Sequence, residues 1–316
     1  MTSESTLPEL WFERGIEFQQ MHLLEGVARP TGPELDELTS ATGAIAGAGY
    51  QWTAEFFDTN APNLRVLARS GIGVDMVDIA ACTERGILFA NAPDGPTVST
   101  AEHAITLMLN AAKRVPNAQR RLREQLGNFV VDNTGIELDG LTLGVVGYGR
   151  IGKRVVPVAR ALGMNVLICD PYVDHRGLGI THVPFEELLP RCDVLTLHCP
   201  LDDDTEHMMN HQSFAAMKPG AVFVNVARGG LVDQDALVAA LDSEQISVAG
   251  LDVTVPEPLP ADHPLLLDEN VIVTPHIASS TTAGKVRMYD MAVQQALTGM
   301  AGERPSELLN PEVLDL

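Results

Sequence analysis

Three polar residues in the second half of the sequence have side chains that can move protons and bind an anion. Arg228 lies in NVARGGLVD, Glu257 in LDVTVPEP and His276 in VIVTPHIA. A histidine can give and take a proton near neutral pH, and a neighbouring carboxylate orients its ring and favours its charged form. A guanidinium can grip both oxygens of a ligand carboxylate. Taken singly, such an arginine more often forms a structural ion pair, and such a histidine is more often an ordinary core or surface residue.

The segments before these residues predict how they are positioned. Short apolar runs predict strands over 194–198, 221–226, 248–253 and 271–274, with helices over 212–217 and 233–241 between them. This alternation predicts a doubly wound parallel sheet. Arg228, Glu257 and His276 each lie at or just beyond the end of a predicted strand, at the edge where such sheets bind ligands. We therefore expect the three side chains to share one edge, which favours catalysis over three separate structural roles.

A glycine-rich segment predicts a nucleotide site at the same edge. The apolar run Leu141–Val146 predicts a strand, and it leads directly into GYGRIG, residues 147–152, which fits the pattern GxGxxG. A helix should follow, with Gly163 as its C-cap and with one apolar face formed by Ile151, Val155, Val158, Ala159 and Leu162. A second strand over 165–170 ends in Asp170, close to the spacing that dinucleotide folds use. The alternative is a glycine turn that only packs a helix on a sheet.

The acid at residue 170 favours NAD over NADP. A carboxylate at this place can accept hydrogen bonds from the two ribose hydroxyls, whereas it would repel a 2′-phosphate. Arg176 follows six residues later, which we consider too far along the chain to reverse this preference. A nicotinamide cofactor beside the three polar residues indicates reduction of a ketone. Negative charge then develops on the ketone oxygen, so His276 would supply a proton with Glu257 as its partner, and Arg228 would hold an adjacent carboxylate.

These motifs occur in an order and at intervals that closely resemble the D-isomer-specific 2-hydroxyacid dehydrogenases. The resemblance rests on GYGRIG with Asp170, NVARGGLVD, LDVTVPEP and TPHIA. It extends towards the N-terminus through SGIGVDMVD, residues 70–78, and STAEHAITLML, residues 99–109. It therefore covers nearly the whole chain. The family includes glycerate and phosphoglycerate dehydrogenases, hydroxypyruvate and glyoxylate reductases, and D-lactate dehydrogenase.

The resemblance implies roles for individual residues. It gives Arg228, Glu257 and His276 the catalytic roles described above, and it adds the backbone N–H groups of Ile72 and Gly73 as further ligands of the substrate carboxylate. It implies that Asp252 contacts the nicotinamide carboxamide, although a strand-end cap is the alternative. It places His198 near the adenosine, where we expect only a packing role. The predicted cofactor contacts are Gly147, Gly149, Arg150, Ile151, Gly152, Asp170, Pro200, Thr205, Ala227 and Asp252, and no metal site is predicted.

The resemblance also implies the fold class and the domain organisation. We expect an α/β protein with two Rossmann-like domains: a central dinucleotide-binding domain over residues 99–281, and a flavodoxin-like substrate domain formed by residues 1–98 and 282–316. The first segment should contain strands over 43–48 and 64–69 and a helix over 78–85. A long helical stretch over 100–126 is expected to bridge the domains or to form a subunit contact, and the chain should end in a polar tail. The active site is implied between the domains, in a homodimer.

Composition excludes several other classes of protein. The 316 residues carry 21 Lys+Arg against 42 Asp+Glu, a net charge of −21, which argues against nucleic acid or an anionic membrane as a partner. This acidity fits a high-salt host and equally a GC-rich genome that favours Arg and Ala over Lys. No apolar run approaches a membrane span, and Met1–Pro8 lacks the pattern of a signal peptide, so we expect a cytoplasmic protein. The four cysteines show no metal-binding spacing and are expected to be reduced.

The substrate remains open at the level of the sequence. Phosphoglycerate dehydrogenases typically carry an Arg-Ser motif where this chain has GYQW after residue 48, and Met76 stands where the family often has Asn. The chain also ends without room for their regulatory domain, so we disfavour phosphoglycerate, although short forms of that enzyme exist. The Glu257–His276 pair argues against formate dehydrogenase, which uses Gln in place of the acid. An NAD(H)-responsive corepressor-like binding protein is the alternative outside catalysis.

Overall fold

A computed structural model describes residues 7–14, 21–128, 134–173 and 179–316. Arg176 and residues 1–6, which belong to the N-terminal segment Met1–Pro8, therefore lie outside the described residues. The chain divides into two compact units, of which the first comprises Met1–Thr97 and Ser280–Leu316 and the second comprises Val98–Ser279. Each unit is built around a parallel β-sheet with helices, so the predicted α/β fold class is confirmed.

The first unit contains a five-stranded parallel sheet. Its strands are β1 (Glu9–Phe12), β2 (Arg29–Thr31), β3 (Gly43–Ala46), β4 (Val66–Arg69) and β5 (Leu88–Ala90), and the helices between them are α1 (Leu35–Leu38), α2 (Ala54–Asn60) and α3 (Ile79–Glu84). The strand order β2-β1-β3-β4-β5 is that of flavodoxin-like folds. Strands β1, β2 and β5 are absent from the sequence prediction, because runs of three or four residues are too short to show a periodicity.

The second unit contains a seven-stranded parallel sheet. Its strands are β6 (Thr142–Val146), β7 (Asn165–Cys169), β8 (Thr181–His182), β9 (Val194–Leu197), β10 (Ala221–Asn225), β11 (Ile246–Leu251) and β12 (Val271–Val273). They lie in the order β12-β11-β10-β9-β6-β7-β8, which is the dinucleotide-binding order with one additional strand. The chain reverses its direction of winding between β6 and β9, and ligands bind at the carboxyl end of such a switch point.

The helices of this unit locate a break in one predicted helical stretch and correct one detail of another helix. They are α4 (Thr97–Lys113), α5 (Val115–Glu124), α6 (Gly152–Ala161), α7 (Phe185–Leu188), α8 (His211–Ala216), α9 (Gln234–Asp242) and α10 (Pro264–Leu267). The predicted mostly helical stretch over 100–126 is made of α4 and α5, which are separated at Arg114. Arg114 has a left-handed backbone with φ of 51°, and Pro116 cannot donate the hydrogen bond that a continuing helix needs. On α6, Val158 is exposed rather than buried, because Val155, Val156 and Ala159 form the face that packs on the sheet.

The chain then returns to the first unit through α11 (Thr282–Met300). Ala292, Val293 and Ala296 of this helix are fully buried against the strands of the first sheet. The segment after α11 is more than the polar tail predicted from its sequence. Asn310 is completely buried, where its side-chain oxygen accepts from Phe89 N at 2.9 Å and its amide donates to Ile87 O at 2.9 Å.

No helix within the described ranges has the length and apolar character that crossing a membrane requires. The four cysteines carry no disulfide. Burial raises the pKa of the Cys192 and Cys199 thiols to about 12, so both are uncharged at neutral pH.

We expect Asn310→Ala to destabilise the first unit. The substitution leaves the buried Phe89 N and Ile87 O without partners, which should lower the free energy of unfolding by about 2–3 kcal/mol. Urea unfolding measures this loss. Asn63→Ala is the control in the same unit, because the amide of Asn63 makes an exposed hydrogen bond to Thr39 O, and its loss should cost less than about 0.5 kcal/mol. Equal losses for the two variants would show that the tail is not held in the way described.

Candidate active site

The glycine loop after β6 has three glycines with three different physical requirements. Gly147 has φ of +91°, and a Cβ there would lie 2.6 Å from the backbone of His198. Gly152 opens α6, where a Cβ would overlap the carbonyl oxygen of Gly147. At Gly149, by contrast, nothing lies within 4 Å of a Cβ position. The loop is therefore tightly packed at both ends and open in the middle, which is the arrangement that lets a diphosphate approach the backbone.

Asp170 is tied to this loop. Its Oδ2 accepts from Tyr148 N at 2.7 Å, and its Oδ1 accepts from Tyr172 N at 2.9 Å. The acid at the end of β7 therefore lies beside the glycine loop at the end of β6, as a ribose-binding carboxylate requires. No side chain caps the N-terminus of α6, so a bound phosphate can interact with that helix end. These features fit a dinucleotide such as NAD.

The other predicted cofactor residues occupy the same strand ends. Arg150 is exposed and Ile151 half-buried within the glycine loop. Pro200 follows β9, and its carbonyl accepts from Thr205 Oγ1 at 2.9 Å, so these two residues form one turn. Ala227 follows β10, and its amide donates to Asn225 Oδ1 at 3.0 Å. All of them lie on loops that leave the carboxyl edge of the second sheet.

His198 is buried in an environment that favours its uncharged ring. Its Nε2 lies 3.1 Å from Thr196 Oγ1, and burial lowers the pKa of the ring to about 3. The ring is therefore neutral at physiological pH. This agrees with the packing role expected for His198.

Arg228 is positioned by a buried asparagine. Asn225, the last residue of β10, donates from Nδ2 to Arg228 O at 2.8 Å. The guanidinium donates from Nη1 to Ala227 O at 2.6 Å. Next to it, Gly229 lies so close to the backbone of Thr254 that no Cβ fits there. The segment after β10 therefore packs directly on the segment that leads to Glu257.

Glu257 and His276 form the predicted pair. Glu257 Oε2 lies 2.8 Å from His276 Nδ1, while Oε1 accepts from Thr254 N at 3.1 Å. Burial raises the pKa of Glu257, but the hydrogen bond and charge of His276, the Thr254 amide and the charge of Arg228 outweigh it, so the pKa lies below its ordinary value. The carboxylate is thus ionised and fixes Nδ1 of the ring. About half of the His276 side chain is exposed, so its Nε2 is the atom that can exchange a proton with a ligand.

Asp252 holds the turn that carries His276. This residue follows β11 and is 1% exposed, and its carbonyl accepts from His276 N at 2.8 Å. Its carboxylate accepts from Ile277 N at 2.9 Å and from Ala278 N at 2.8 Å. His276 itself has φ of 51°, a conformation that is unfavourable for a residue with a side chain. The contacts with Asp252 on both sides of His276 keep this backbone in place.

The charge of Asp252 is stabilised by the same contacts. Burial raises the pKa of the carboxyl group, but hydrogen bonds from His103, Thr274, Ile277 and Ala278 outweigh it and leave the pKa below its ordinary value. A structural role at the strand end, the alternative considered from the sequence, is therefore supported directly. A contact with the nicotinamide stays a prediction.

Comparison with known proteins identifies the family. The sequence model described as "D-isomer specific 2-hydroxyacid dehydrogenase, NAD binding domain" matches residues 105–278, which is more than half of the chain. The chain belongs to this family. Residues 105–278 include the glycine loop, Asp170, Arg228, Asp252, Glu257 and His276, so the family's NAD-binding domain carries every second-unit residue singled out above except His103.

Curated members of the 2-hydroxyacid dehydrogenase family include two informative relatives. A D-3-phosphoglycerate dehydrogenase of Archaeoglobus fulgidus is 43% identical over 251 residues, which are 78% of this chain and 47% of the relative. A glyoxylate reductase of Korarchaeum cryptofilum is 40% identical over 267 residues, which are 83% of this chain and 80% of the relative. The chain spans about half the length of the phosphoglycerate dehydrogenases that it matches.

Solved structures similar to this chain share its fold over almost the whole length. The TT0316 protein of Thermus thermophilus matches with a TM-score of 0.87 and 35% identity, covering 95% of this chain and 99% of that protein. The D-lactate dehydrogenase of Aquifex aeolicus, solved with NAD and lactic acid, matches with a TM-score of 0.83 and 29% identity, covering 97% of each chain. The two-domain Rossmann-like fold predicted for the family is thus confirmed.

The predicted substrate loop lies in the first unit, after β4. Asn91 is buried and donates from Nδ2 to Ile72 O at 2.9 Å, and Ala92 N donates to Gly71 O at 2.9 Å. The loop over 70–73 is therefore fixed through its carbonyl groups. Ile72 is exposed and Gly73 half-buried. Binding of a carboxylate by their amides stays a prediction.

Sequence reasoning missed the residues that position the site. They are Asn91, Asn225 and Thr274, to which no predicted role was given, and His103 on α4. For Asn225 and Thr274 a signal was available, because each is a polar residue at the end of an otherwise apolar strand. His103 gave no such signal, because the apolar periodicity of a helix does not show which strand end the helix packs against. Within the described residues, no cluster of three or more His, Cys, Asp or Glu is suited to bind a metal ion.

We expect Gly149→Ala and Gly152→Ala to separate cofactor binding from stability. At Gly149 the added methyl enters open space, so the thermal midpoint should stay unchanged while the Kd for NADH rises about tenfold or more. At Gly152 the methyl overlaps Gly147 O, which should cost about 1–3 kcal/mol of folding free energy. Thermal unfolding and NADH fluorescence titration measure the two effects. A destabilised Gly149→Ala variant with unchanged NADH affinity would contradict the assignment of the open space to the cofactor.

We expect Asp252→Asn to destabilise the protein in a pH-dependent manner. Because the pKa of Asp252 is depressed in the folded state, its ionisation contributes stability above the ordinary value of 3.8, and this contribution is lost as the pH falls through the lower folded value. The difference in unfolding free energy between the wild type and Asp252→Asn should be about 2–3 kcal/mol at pH 7 and should shrink below pH 3.8. Unfolding in urea from pH 7 to pH 3 measures it. The exposed Asp203→Asn is the control, and a pH-independent difference for Asp252→Asn would rule out the ionised state.

Proposed function

We propose that this protein is an NAD-dependent oxidoreductase that transfers a hydride between the nicotinamide and C2 of a small D-2-hydroxy or 2-oxo acid. The observation that carries the proposal is the pair formed by His276 Nδ1 and Glu257 Oε2 at 2.8 Å. Glu257 follows β11 and His276 follows β12, two strands of the second sheet. The glycine loop and Asp170, which fit a dinucleotide, follow β6 and β7 of the same sheet. Relatives named D-3-phosphoglycerate dehydrogenase and glyoxylate reductase support the reaction class.

His276 is proposed as the acid and base of the reaction. When bound, the nicotinamide supplies or accepts the hydride at C2 of the substrate. In the reducing direction the charge that develops on the substrate oxygen is neutralised by a proton from His276 Nε2. Glu257 stays ionised and holds Nδ1, so it both stabilises the imidazolium and fixes the ring plane. In the oxidising direction the neutral ring takes the proton from the hydroxyl group.

Arg228 is proposed to bind the carboxylate of the substrate. Its backbone is held by Asn225, so the position of the guanidinium is fixed at its base. The amides of Ile72 and Gly73 are proposed as additional donors to the same carboxylate. In this arrangement the negative substrate meets positive and N–H groups, although the whole chain carries a net charge of −21.

NAD is proposed as the cofactor in preference to NADP. The Asp170 carboxylate lies 2.7 Å from the glycine-loop amide of Tyr148, so a 2′-phosphate at the ribose would meet a negative charge. A homodimer and a cytoplasmic location stay predictions from the sequence. Nucleic acid and membranes are not proposed as partners.

A panel of 2-oxo acids with NADH tests the proposed function. The panel contains glyoxylate, hydroxypyruvate, pyruvate, longer 2-oxo acids and phosphohydroxypyruvate, because relatives carry names from both the phosphorylated and the small unphosphorylated classes. We expect turnover of at least one member with NADH and much weaker turnover with NADPH. NADH binding without turnover of any member would contradict the enzyme and favour an NAD(H)-responsive binding protein.

We expect His276→Ala to impair proton transfer and Arg228→Lys to impair binding of the substrate. Loss of the acid and base should lower kcat by about 10²–10⁴. Arg228→Lys keeps the charge but loses the two-pronged geometry, so the KM for the 2-oxo acid should rise while the KM for NADH stays unchanged. Steady-state kinetics on the best substrate measure both effects. Unchanged kcat in His276→Ala would show that another group supplies the proton.

A further inference from the structure

His103 contacts the residues that hold the catalytic turn, although it does not belong to the proposed catalytic set. It lies on α4, and its side chain is 17% exposed. Its Nε2 lies 3.1 Å from Thr274 Oγ1 and 3.3 Å from Asp252 Oδ1. Of the side chains placed around the Asp252 carboxylate, His103 is the basic one.

The hydrogen-bond directions at this contact are determined by its chemistry. An ionised carboxylate can only accept, so the Thr274 hydroxyl donates its proton to Asp252 Oδ1 at 2.6 Å. The Thr274 oxygen then presents lone pairs to His103. Both atoms that face His103 Nε2 are therefore acceptors, and Nε2 must carry a proton. His103 Nε2 can donate to Thr274 Oγ1 and Asp252 Oδ1 both in the neutral Nε2–H tautomer and in the charged form of the ring.

The consequence of this donation reaches His276. Asp252 Oδ1 accepts from Ile277 N and Asp252 Oδ2 accepts from Ala278 N, which follow His276 directly. The carbonyl of Asp252 also accepts from His276 N. His276 has a left-handed backbone, so the turn needs these bonds to keep its ring against Glu257. A carboxylate that loses a donor can rotate, and the turn would then follow it.

We propose that His103 is a positioning residue for the reaction. It fixes the Asp252 carboxylate from the side of α4, and through that carboxylate it aims His276 at the substrate. The effect on turnover rests on the proposed function. The anchoring of the turn over 274–278 does not, because it depends only on contacts within the second unit.

Packing of α4 gives His103 no other evident purpose. The buried apolar residues that attach this helix to the core are Ala101, Ala104, Leu107, Met108, Ala111 and Ala112. A leucine at 103 adds apolar surface next to them and removes only the donor, so His103→Leu is expected to fold. The side-chain amide of a glutamine reaches a similar distance from the backbone as Nε2, so His103→Gln keeps an N–H donor. His211→Leu is the matched control, since His211 is exposed on α8 in the same unit.

Steady-state kinetics on the substrate identified by the panel provide the first test. We expect His103→Leu to lower kcat about 10- to 100-fold, which corresponds to the loss of one hydrogen bond to a charged group. The KM for the 2-oxo acid should stay within about threefold, because its proposed binding groups, Arg228 and the amides of Ile72 and Gly73, are untouched. His103→Gln should restore kcat to within about threefold of the wild type, and His211→Leu should leave it unchanged. A kcat for His103→Leu within twofold of the wild type, or a His103→Gln variant as slow as His103→Leu, would overturn the proposal.

Amide hydrogen exchange provides a test that needs no activity. In the wild type the Ile277 and Ala278 amides are hydrogen-bonded to Asp252 and should exchange slowly. In His103→Leu they should exchange at least tenfold faster, and His103→Gln should restore their protection. Unchanged exchange in His103→Leu would overturn the anchoring whether or not the wild type turns over a 2-oxo acid. A wild type without turnover, in contrast, contradicts the proposed function alone.

Thr274→Val supplies a second variant in case His103→Leu is poorly folded. It removes the hydroxyl that joins His103 to Asp252 without changing the volume of the side chain greatly. Its exchange effect on Ile277 and Ala278 should match that of His103→Leu. In the double variant the increase in the exchange rate should be smaller than the product of the increases in the two single variants, because His103 and Thr274 both act on Asp252 Oδ1. Fully multiplicative effects would show that His103 does not act through Asp252 and would overturn the proposal.

Discussion

A carboxylate that stays ionised in the interior of a protein must be surrounded by hydrogen-bond donors, because its loss of hydration is otherwise too costly. At the end of β11 this requirement organises the catalytic side of the second sheet. Asp252 attracts the Thr274 hydroxyl and the amides of Ile277 and Ala278. Pro275 and His276 lie between these donors. The turn that presents the proposed acid is thus determined by the demands of a buried charge.

The glycine loop after β6, at the same edge of the second sheet, is determined by close packing. Gly147 and Gly152 bring β6, α6 and the end of β9 into contact, and they leave an opening at Gly149. The acid of β7 is tied to that loop by one short hydrogen bond. Two different physical constraints, a charge that needs donors and a loop that excludes side chains, therefore place the proposed acid and the proposed cofactor site on the same edge of one sheet.

The sequence allowed the prediction of what depends on local pattern. The glycine loop, Asp170 and the strand ends that carry Arg228 and His276 all follow from residue types within a few positions of one another. What could not be predicted depends on contacts between distant segments. His103 and Asp252 lie on different elements, and their contact exists only once α4 packs near the end of β11. The break at Arg114 was not located and the exposure of Val158 was mispredicted for a related reason: a helical pattern alone did not give the end of the helix or its rotation.

The first unit is made from both ends of the chain, and this has a consequence for the order in which the molecule can form. During synthesis β1–β5 emerge first, but the helix that covers them, α11, and Asn310, which satisfies the backbone of β5, are made after the entire second unit. The apolar face of the first sheet that α11 covers therefore lacks its cover until α11 is translated, whereas the whole sequence of the second unit precedes α11. Domains usually fold as units as they emerge. In this chain the second unit therefore has its complete sequence before the first unit does, and the first unit can be completed only when α11 and Asn310 have been translated.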